Sequence, residues 1–496
     1  MKSFAQVYSR SYQGFKAPQV IVEAHISHGP SAKFSIVGLA ETAVKESKDR
    51  VRSAILNSHF RFPEAIITIN LAPADLPKEG GRFDLPIALS ILVASGQLPQ
   101  HCLSEYEFAG ELALSGELRG IQGALPFAIA THQANKTLII AKESADEAAL
   151  PSLLTVLAAQ HLLEVCAHLT DREHIKKYES SSSFLPRDEL DLSEVKGQLL
   201  AKRALEIAAA GGHSVLMVGP PGTGKTMLAQ RFCSLLPKLN EEEALEVAAI
   251  YSLSKSAKPI QWQQRPFRSP HHTASYPALV GGNNPPQPGE VSLAHHGVLF
   301  LDELTQFNTR TLETLREPLE NGSIHIARSG NTIHFPAKFQ LIAAMNPCPC
   351  GFAGDPEIVC YCHPDKIQRY QNKLSGPLLD RIDLHLKLPR LTTKELLQDS
   401  RLPSTNSTTV RQRVLAAREK QIQDRQTLNC HLSSKELDKL PLSSSLKQLL
   451  NQHLQNTPLS PRSYYRLLRV ARTIADLEGH HLIEEHHLNE AMFFKK

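Results

Sequence analysis

The amino-acid sequence predicts a mixed α/β protein: an α+β domain, then a domain with a parallel sheet, then a helical region that ends the chain. Three observations predict this class. Apolar runs with the length of buried strands, HSVLMV, HGVLFL and KFQLIAAM, alternate with helical periodicity in the middle of the chain, which favours a parallel sheet. Strand-like and helix-like stretches are mixed before residue 178, and helical periodicity dominates after residue 391. We therefore expect domains at residues 1–178, 190–390 and 391–496.

The composition limits the class of protein before any motif is considered. The chain has 496 residues, of which 42% are hydrophobic and 21% charged, as expected for globular domains with their own cores. No apolar run is long enough to span a bilayer, and the N-terminus lacks the apolar segment of a signal peptide. We therefore expect a cytoplasmic protein without a membrane partner. The net charge of +4 does not decide whether nucleic acid is a partner.

The first domain contains stretches of both periodicities. FSIVGL, AIITINLA and TLIIAKE have the pattern of strands, and ETAVKESKDRVRSAIL and DLPIALSILVAS have the pattern of helices. The polar, Ser-rich segment ESSSSFLPRDE at residues 179–189 has the composition of a linker. The next segment, DLSEVKGQLLAKRALEIAAAGG, predicts a helix that leads into the central sheet.

The central domain is organised around GPPGTGKT at residues 219–226, between the apolar run HSVLMV and the helical pattern of MLAQRFCSLL. Glycines in a strand-to-helix turn let backbone N–H groups surround a phosphate, and the helix start adds partial positive charge. Lys225 is predicted to reach the outer phosphates and Thr226 to ligate Mg²⁺. The predicted ATP-binding residues are Gly219, Pro220, Pro221, Gly222, Thr223, Gly224, Lys225 and Thr226.

Two further strands of this domain end in polar residues. HGVLFLDEL ends in Asp302, predicted to hold Mg²⁺, and Glu303, predicted to polarise the attacking water. The alternative is a core strand that ends in two solvated acids. KFQLIAAMNP places Asn346 at the carboxyl end of a buried strand, where ligands bind in open α/β sheets, so Asn346 is expected to orient the same water.

Arg381 lies between two aspartates in SGPLLDRIDL, at residues 375–384. A guanidinium group is suited to neutralise charge on a transferring phosphate because it stays charged and pairs with two oxygens. The alternative is a surface ion pair with Asp380 or Asp383. The sequence leaves both possibilities open.

Two inserts distinguish this domain. The stretch before Asp302 contains RPFRSPHHTAS and GGNNPPQPGE, whose Pro and Gly content predicts shaped loops. Residues 323–339, SIHIARSGNTIHFPAKF, alternate apolar and polar residues on both sides of a turn and predict a β-hairpin. Arg328 near its tip is a cation of the kind that binds phosphate groups without selecting a sequence. The alternative is a hairpin that only packs on its neighbours.

Four of the eight cysteines cluster as CPCGFAGDPEIVCYC. Two close pairs joined by a short loop predict a tetrahedral thiolate site of the kind that holds structural Zn²⁺. His363, beside the second pair, is a possible substitute ligand, and four reduced thiols without metal are the alternative. The predicted metal ligands are Cys348, Cys350, Cys360 and Cys362.

The last part of the chain predicts four helices, TVRQRVLAAREKQIQDRQ, SLKQLLNQHLQ, SYYRLLRVARTIADLEG and IEEHHLNEAMFF. Arg462, Arg466 and Arg469 fall near one face of the third. That face either meets phosphate or is solvated. The histidines of HHLIEEHHL are expected to belong to a solvated helix face.

GPPGTGKT, GVLFLDEL, AAMNPCPCG and SGPLLDRID occur in an order that resembles the AAA+ ATPases of the magnesium-chelatase-like group. The first domain resembles the Lon-type proteolytic domain, with its S5-like (ribosomal protein S5 domain 2-like) fold. Together they make the chain similar to the ComM/YifB family. The resemblance implies a homo-hexameric ring with ATP between subunits, Arg381 acting on the neighbour's nucleotide, and Arg462 contributed by a helical lid at residues 391–496. It also implies that the hairpin is directed into the central channel, where Arg328 would bind the DNA backbone. It also makes Val195 and Gly197 candidates for the adenine pocket.

The resemblance to Lon does not extend to the catalytic residues. PKEGGRFDLPIAL carries Arg82 and Phe83 where a serine nucleophile is expected, and residues 120–130 contain no lysine. A Ser-Lys dyad needs both groups, so we expect a binding or assembly module and not an ATP-dependent protease.

Two hypotheses for the function remain. The family resemblance implies an ATP-driven DNA motor that promotes branch migration of recombination intermediates during natural transformation. The alternative is a motor subunit of a metal-chelatase-like or protein-remodelling complex. Both use ATP and Mg²⁺.

Overall fold

A computed structural model describes residues 3–12, 15–29, 31–38, 42–101, 103–150, 154–179, 190–254, 261–282, 287–328, 331–391, 406–444, 446–450 and 460–495. The chain divides into two compact units. The first unit comprises Met1–Leu185 and Leu245–Trp262, and the second comprises Pro186–Ala244 and Gln263–Lys496. The predicted linker at residues 179–189 lies outside the described residues except for Glu179.

The first unit is an α+β structure. Its strands β1 (Phe4–Arg10), β2 (Gln19–Ser27), β3 (Lys33–Val37) and β4 (Ile66–Ala72) form a sheet in the order β1-β2-β4-β3. Only the β3/β4 pair of this sheet is parallel. Alternate residues of β4 are buried, as in a strand with one face on a core. Helices α1 (Thr42–Asn57) and α2 (Asp84–Ala94) lie where the sequence predicts helices, and every residue of α2 is buried.

A second, parallel sheet completes this unit. It consists of β5 (Tyr106–Ala109), β8 (Thr137–Ala141) and β9 (Val156–Ala159), in the order β5-β8-β9. Short strands β6 (Glu111–Leu112) and β7 (Leu118–Arg119) pair with each other, and the helices are α3 (Ala124–Gln133), α4 (Ala145–Ala148) and α5 (Leu162–Leu169). At the position expected for a nucleophile, Phe83 is fully buried and the Arg82 guanidinium lies 3.8 Å from the centre of the Tyr12 ring.

One helix, α8 (Glu241–Leu253), starts in the second unit and ends in the first. Its C-terminal end belongs to the first unit through two hydrogen bonds. The backbone N–H of Gly123 donates to Ser252 O at 3.2 Å, and Gln122 Nε2 donates to Leu253 O at 2.6 Å. The first unit is therefore not continuous in sequence.

The second unit contains the predicted parallel sheet. Its strands are β10 (Val215–Val218), β11 (Phe267–Arg268), β14 (Val298–Leu301), β17 (Gln340–Met345) and β18 (Leu384–Lys387), in the order β11-β14-β17-β10-β18. Each neighbouring pair is parallel. The carboxyl ends of β10, β14 and β17 therefore lie side by side at one edge, which places the residues that follow them together. This confirms the predicted mixed α/β class with a parallel-sheet core.

Shorter elements surround this sheet. Strands β12 (Gly281–Gly282) and β13 (Gln287–Pro288) form one hairpin, and β15 (Ser323–Arg328) and β16 (Asn331–Pro336) form another. The helices are α6 (Leu199–Gly211), α7 (Lys225–Phe232), α9 (Tyr276–Val280), α10 (Glu290–Leu293), α11 (Thr309–Glu313), α12 (Arg316–Asn321), α13 (Pro364–Gln371) and α14 (Gly376–Leu379).

Two predictions for this unit were wrong in detail. The helix expected from Asp191 begins at Leu199, because Gly197 and Gln198 take left-handed conformations with φ of 57° and 49°. The stretch RPFRSPHHTAS is not only loop, since Phe267 and Arg268 form the edge strand of the sheet. A strand of two residues is too short to produce a recognisable alternation of apolar and polar residues.

The chain ends in helices that share the core of the sheet. They are α15 (Ser407–Arg425), α16 (Ser434–Asp438), α17 (Pro461–Leu477) and α18 (Glu485–Phe493). Val414 and Ile474 belong to the same buried cluster as Leu205 of α6 and Val215 of β10. Part of the predicted helix SLKQLLNQHLQ lies outside the described residues. Within the described ranges, none of the helices has both the length and the apolar character needed to cross a bilayer.

Candidate nucleotide-binding site

The loop at residues 219–226 joins β10 to α7 with the backbone geometry of an anion cradle. Gly222 and Gly224 have φ of 80° and 85°, which glycine adopts without steric cost. A Cβ at either position would meet nothing within 4 Å, so both face open space. The backbone N–H of Gly219 donates to Met345 O at 3.2 Å and ties the loop to β17. The loop and the N-terminus of α7 are thus arranged to receive phosphate.

The Lys225 ammonium group is hydrogen-bonded to this loop and to the residue that follows β17. Its Nζ donates to Gly219 O at 2.7 Å, to Pro220 O at 2.8 Å and to Asn346 Oδ1 at 3.2 Å. Burial lowers the pKa of Lys225 from its usual value, and the Asp302 carboxylate opposes that shift. The structure therefore brings Asn346 of the β17 end to the lysine of the loop.

Thr226 of α7 and Asp302, which follows β14, form a second contact at this edge of the sheet. Thr226 Oγ1 donates to Asp302 Oδ2 at 2.8 Å, and the backbone N–H of Glu303 donates to Asp302 Oδ1 at 2.9 Å. A hydroxyl and a carboxylate are oxygen ligands of the type that Mg²⁺ prefers beside a nucleotide. The donor set fits the ion expected from the sequence.

Glu303 has a partner that the sequence did not predict. The His272 Nδ1 atom lies 3.3 Å from Glu303 Oε2, and the His272 ring lies 4.1 Å from that of His271, centre to centre. Glu303 has a φ of 50°, a conformation in which a non-glycine residue is uncommon. The HH pair in RPFRSPHHTAS was the available signal for a second residue at this carboxylate.

The adenine-pocket candidates lie on the left-handed turn before α6. Val195 is buried, and the side chain of Leu391 lies against Gly197. The neighbouring Gln198, not predicted, donates from Nε2 to Pro389 O at 2.9 Å and to Thr223 O at 3.5 Å. Gln198 therefore links this turn to the phosphate loop.

Arg381 and Arg462 converge on one carboxylate. Arg381 Nη2 and Arg462 Nη1 donate to Glu320 Oε1 at 2.5 and 2.9 Å, and Arg381 also donates to Pro377 O. The Arg381 hydrogen bond, with a smaller effect of Arg462, lowers the pKa of Glu320. Among the hydrogen bonds of the described residues, neither arginine bonds to residues 219–226 of its own chain.

The alternative partners proposed for Arg381 were wrong. Asp383 Oδ2 accepts from the Ser214 backbone N–H at 3.3 Å and lies 3.2 Å from His213 Nδ1. The carboxylate of Asp383 is therefore engaged at the start of β10. The ion-pair partner of Arg381 is Glu320, from the C-terminal half of α12, and not one of the aspartates next to Arg381 in the sequence.

The remaining arginines of α17 do not form a solvated face. Arg466 is 7% exposed and donates to Ile382 O at 2.8 Å, and Arg469 donates to Leu432 O at 2.9 Å. These residues line a cavity of about 330 Å³ in the second unit. Burial, followed by the nearby Arg265, lowers the pKa of Arg418 in the same wall to about 9. The charged residues that line the cavity are Glu243, Arg265, Glu320, Lys338, Asp380, Arg381, Asp383, Arg418, Arg462, Arg466 and Arg469.

The predicted hairpin at residues 323–339 is formed by β15 and β16. Its pairs include Ile324 with Phe335 and Ile326 with Ile333, and Ile324, Ile326 and Phe335 are buried. Arg328, paired with Asn331, is the last residue of β15, and residues 329–330 lie outside the described ranges. The base of the hairpin therefore packs on the unit, while Arg328 stands at its distal end.

The four clustered cysteines meet beside the phosphate loop. The Cys348 Sγ atom lies 3.2 Å from that of Cys350 and 3.7 Å from that of Cys360, and Cys362 completes a group whose sulfurs all lie within 4.8 Å of one another. The Phe352 backbone N–H, followed by Cys348, lowers the pKa of the Cys350 thiol to about 6. His363 does not complete this set. Its Nδ1 accepts the Asp365 backbone N–H as the N-cap of α13, and its side chain is 75% exposed.

A parallel sheet with a glycine-rich loop, a lysine, a hydroxyl–carboxylate pair and a polar residue after the adjacent strand defines a protein of the P-loop nucleotide-binding class. Three family models match this chain. They are described as "Magnesium chelatase, subunit ChlI" at residues 191–396, "Subunit ChlI of Mg-chelatase" at residues 22–144, and "Magnesium chelatase, subunit ChlI C-terminal" at residues 404–495.

Similar proteins narrow the class further. The chain is 50% identical to the uncharacterized protein YifB of Escherichia coli and 48% identical to the competence protein ComM of Haemophilus influenzae, in both cases over 99% of this chain and 97% of the relative. It is 28% identical to the magnesium-chelatase 67 kDa subunit of Heliobacterium mobile over 33% of this chain and 29% of that protein. The chain belongs to the ComM/YifB family of magnesium-chelatase-like AAA+ proteins. Membership implies the use of ATP and Mg²⁺.

Proposed function

We propose that this protein is an ATP-driven hexameric motor that moves along DNA and promotes branch migration of recombination intermediates during natural transformation. The observation that carries the proposal is the division of polar groups into two sets within one chain. Lys225, Thr226, Asp302 and Asn346 converge on the phosphate loop, whereas Arg381 and Arg462 converge on Glu320. A second copy would supply the arginines that the nucleotide lacks in its own chain.

In the proposed reaction, Thr226 and Asp302 would hold Mg²⁺, which would supply positive charge beside the β- and γ-phosphates of ATP. Lys225 binds the phosphates at the position where it now donates to loop carbonyls. Glu303 takes the proton of the attacking water, and Asn346 orients that water from the end of β17. Catalysis here depends on positioning and charge stabilisation, which explains why the site uses hydrogen-bonded side chains at the start of α7 and directly after β14 and β17.

The neighbouring subunit is proposed to complete this site. Arg381 would leave Glu320 and contact the γ-phosphate of the ATP bound to the adjacent chain. Arg462 of α17 would contact the same nucleotide. A guanidinium group that already pairs with a carboxylate oxygen has the geometry to pair with a phosphate oxygen. Hydrolysis at one subunit interface would thereby be linked to the C-terminal helices of the next subunit.

The DNA contact is proposed at the hairpin of β15 and β16. Its buried base fixes the hairpin to the ATPase unit, and Arg328 at its distal end supplies a cation for the phosphate backbone. A contact with phosphate alone is independent of sequence, as movement along DNA requires. The name of the competence protein ComM, similar over nearly the whole chain, supports a role related to competence.

The first unit is proposed to be an assembly or binding module with a Lon-like, S5-type fold, located with the rest of the chain in the cytoplasm. Its mixed sheet and buried helix α2 support the fold proposal. Arg82 and Phe83 at the expected nucleophile position argue against peptidase activity. A structural Zn²⁺ on Cys348, Cys350, Cys360 and Cys362 completes the proposed set of cofactors.

The second candidate function is a motor subunit of a metal-chelatase-like or protein-remodelling complex. The descriptions of all three family models favour it. Against it, the magnesium-chelatase relative aligns with only 33% of this chain. The DNA motor therefore remains the preferred proposal.

The test measures ATP turnover of the purified chain with and without forked DNA, together with its mass in solution under the same conditions. The proposal expects a ring of six copies and turnover that rises when forked DNA is added. Strand exchange on a synthetic four-way junction then tests branch migration directly. A chain that forms no ring and whose turnover is unchanged by DNA would contradict the motor, and stimulation by a protein partner alone would favour the second candidate.

A further inference from the structure

The four clustered sulfurs have the spacing of a metal-thiolate centre. A tetrahedral Zn²⁺ with Zn–S bonds of about 2.3 Å places its sulfurs about 3.8 Å apart. The Sγ separations of Cys348 from Cys350, Cys348 from Cys360 and Cys350 from Cys360 are 3.2, 3.7 and 3.4 Å. Cys362 lies within the same 4.8 Å limit. The set is made of sulfur alone, which leaves no open position for water and indicates a structural site.

The backbone around the cysteines is arranged for thiolates. The Ala353 backbone N–H donates to Cys348 Sγ at 3.3 Å, and the Cys362 backbone N–H donates to Cys360 Sγ at 3.4 Å. Donors directed at sulfur stabilise its charged form. Between the two pairs, Asp355 Oδ1 accepts the backbone N–H groups of Glu357 and Ile358 and closes the connecting turn. Two separate segments therefore deliver their sulfurs to one point.

This cluster is joined to the nucleotide site through its own chain. Cys348 follows Asn346 by two residues, and Asn346 accepts a hydrogen bond from Lys225. Gln371 of α13 donates from Nε2 to Pro347 O at 3.0 Å. The helix that follows the second pair of cysteines therefore holds Pro347, the residue between Asn346 and Cys348. Any displacement of the cysteine loop would move Asn346.

A second contact joins the loop directly to residues 219–226. A Cβ at Gly351 would lie 2.8 Å from Pro221 Cδ, and Gly351 has a φ of 91°. The backbone between Cys350 and Phe352 thus lies against the outer wall of the phosphate loop. Glycine is required there both by the conformation and by the close approach.

We infer that a Zn²⁺ ion bound by Cys348, Cys350, Cys360 and Cys362 acts as a positioning device for the nucleotide site. The metal holds the loop at residues 348–362, and that loop in turn fixes Asn346 and supports Pro221. Nucleotide binding and turnover therefore depend on a metal that touches neither the nucleotide nor the attacking water. The effect on turnover rests on the proposed ATPase function, whereas the metal site does not.

The first experiment measures the metal content of the purified full-length chain by mass spectrometry and the metal environment by X-ray absorption. We expect about one zinc per chain with four sulfurs at about 2.3 Å. The double variant Cys360→Ser/Cys362→Ser should lose the metal. Cys166→Ala, which removes a buried thiol of the first unit, should retain it. A wild-type chain that is free of metal after expression in zinc-containing medium would overturn the inference.

The second experiment tests the link to the nucleotide. Zinc is released from the wild-type chain with a mercurial reagent and returned after thiol addition, while the affinity for a fluorescent ADP analogue and ATP turnover are recorded. Affinity and turnover should fall at least several-fold on release and recover on return, with the circular dichroism of the chain retained. Unchanged affinity and turnover after complete release would overturn the positioning role. A zinc-bound chain that binds the analogue in a zinc-dependent way but hydrolyses no ATP would support this inference and contradict the proposed motor.

Discussion

Arg381 and Arg462 donate hydrogen bonds to the same oxygen of Glu320, at 2.5 and 2.9 Å. One arginine follows α14 and the other lies at the start of α17, so a single carboxylate joins the end of the sheet domain to the helical region. Within the described residues, the hydrogen bonds of these two guanidinium groups go to Glu320 and Pro377, and none goes to the phosphate loop of their own chain. This arrangement suits residues that act on a neighbouring copy.

Shared sites between copies can be tested by mixing inactive chains. Lys225→Ala and Arg381→Ala should each abolish turnover alone, the second by about 10³-fold or more. In an equal mixture, about one subunit interface in four combines the intact phosphate loop of an Arg381→Ala chain with the intact arginine of a neighbouring Lys225→Ala chain. Turnover should therefore return in part. A mixture of Lys225→Ala with Lys225→Ala/Arg381→Ala is the control. Recovery in the control, or none in the mixture, would contradict a shared site.

Lys225→Ala is expected to prevent nucleotide binding. The variant loses the ammonium group that contacts Gly219, Pro220 and Asn346. Titration with a fluorescent ATP analogue gives the affinity. Lys435→Ala removes an exposed lysine of α16 and should bind as the wild type does. Normal binding by Lys225→Ala would show that residues 219–226 are not the phosphate site.

Glu303→Gln is expected to bind ATP with little change and to hydrolyse it about 10²-fold more slowly or worse. His272→Ala removes the partner 3.3 Å from the Glu303 carboxylate, and its effect should appear in turnover and not in nucleotide affinity. Combining the two substitutions should add nothing to Glu303→Gln, because His272 acts through Glu303. Equal turnover in Glu303→Gln and the wild type would assign the water to another residue.

Arg328→Ala is expected to weaken DNA binding while basal ATP turnover stays unchanged. Loss of one phosphate contact should reduce the slope of log affinity against log salt by about one. Arg310→Ala, which removes the same charge from an exposed position of α11, provides the matched control. If both variants bind forked DNA as tightly as the wild type over a salt series, the hairpin has no part in DNA binding.

The Glu320 pairing predicts a pH dependence of stability. The Arg381 hydrogen bond lowers the pKa of Glu320 in the folded chain. The pairing therefore stabilises the fold above the unfolded pKa of about 4.3 and is lost as the pH falls through the lower folded value. Because Glu320 is partly exposed, the effect should be about 1 kcal/mol or less. In urea unfolding, the difference between wild type and Glu320→Gln should narrow from pH 6 to pH 3, and a constant difference would contradict the assignment.

The sequence was most informative where the chemistry of the site requires particular residue types at particular positions. A lysine and a threonine after a glycine-rich turn, and acids or amides after apolar strands, are each fixed by phosphate and Mg²⁺ chemistry. Parallel strands then bring them together, as for Thr226 and Asp302. The parallel-sheet core could also be predicted, because its strands are buried on both faces and appear in the sequence as apolar runs.

The sequence was less informative where a partner comes from a distant element. Asp380 and Asp383 are the nearest acids to Arg381 along the chain, yet the turn after α14 directs Arg381 towards Glu320 of α12. His272 and Gln198 likewise reach the site from irregular segments. Gln198 has a left-handed backbone, which no residue pattern at that position predicts. Such pairs depend on how loops turn, and loop conformation is weakly encoded in residue type.

The division of α8 between the two units has a practical consequence for anyone who clones parts of this gene. An expression fragment that stops at residue 189 would lack Ser252 and Leu253, whose carbonyls accept from Gly123 and Gln122. A fragment that starts at residue 190 would carry the second half of α8 and the residues that follow it without the fold to which they belong. Two plasmids divided at the Ser-rich segment would therefore yield two incomplete products, and biochemical work on either half should retain the intact polypeptide.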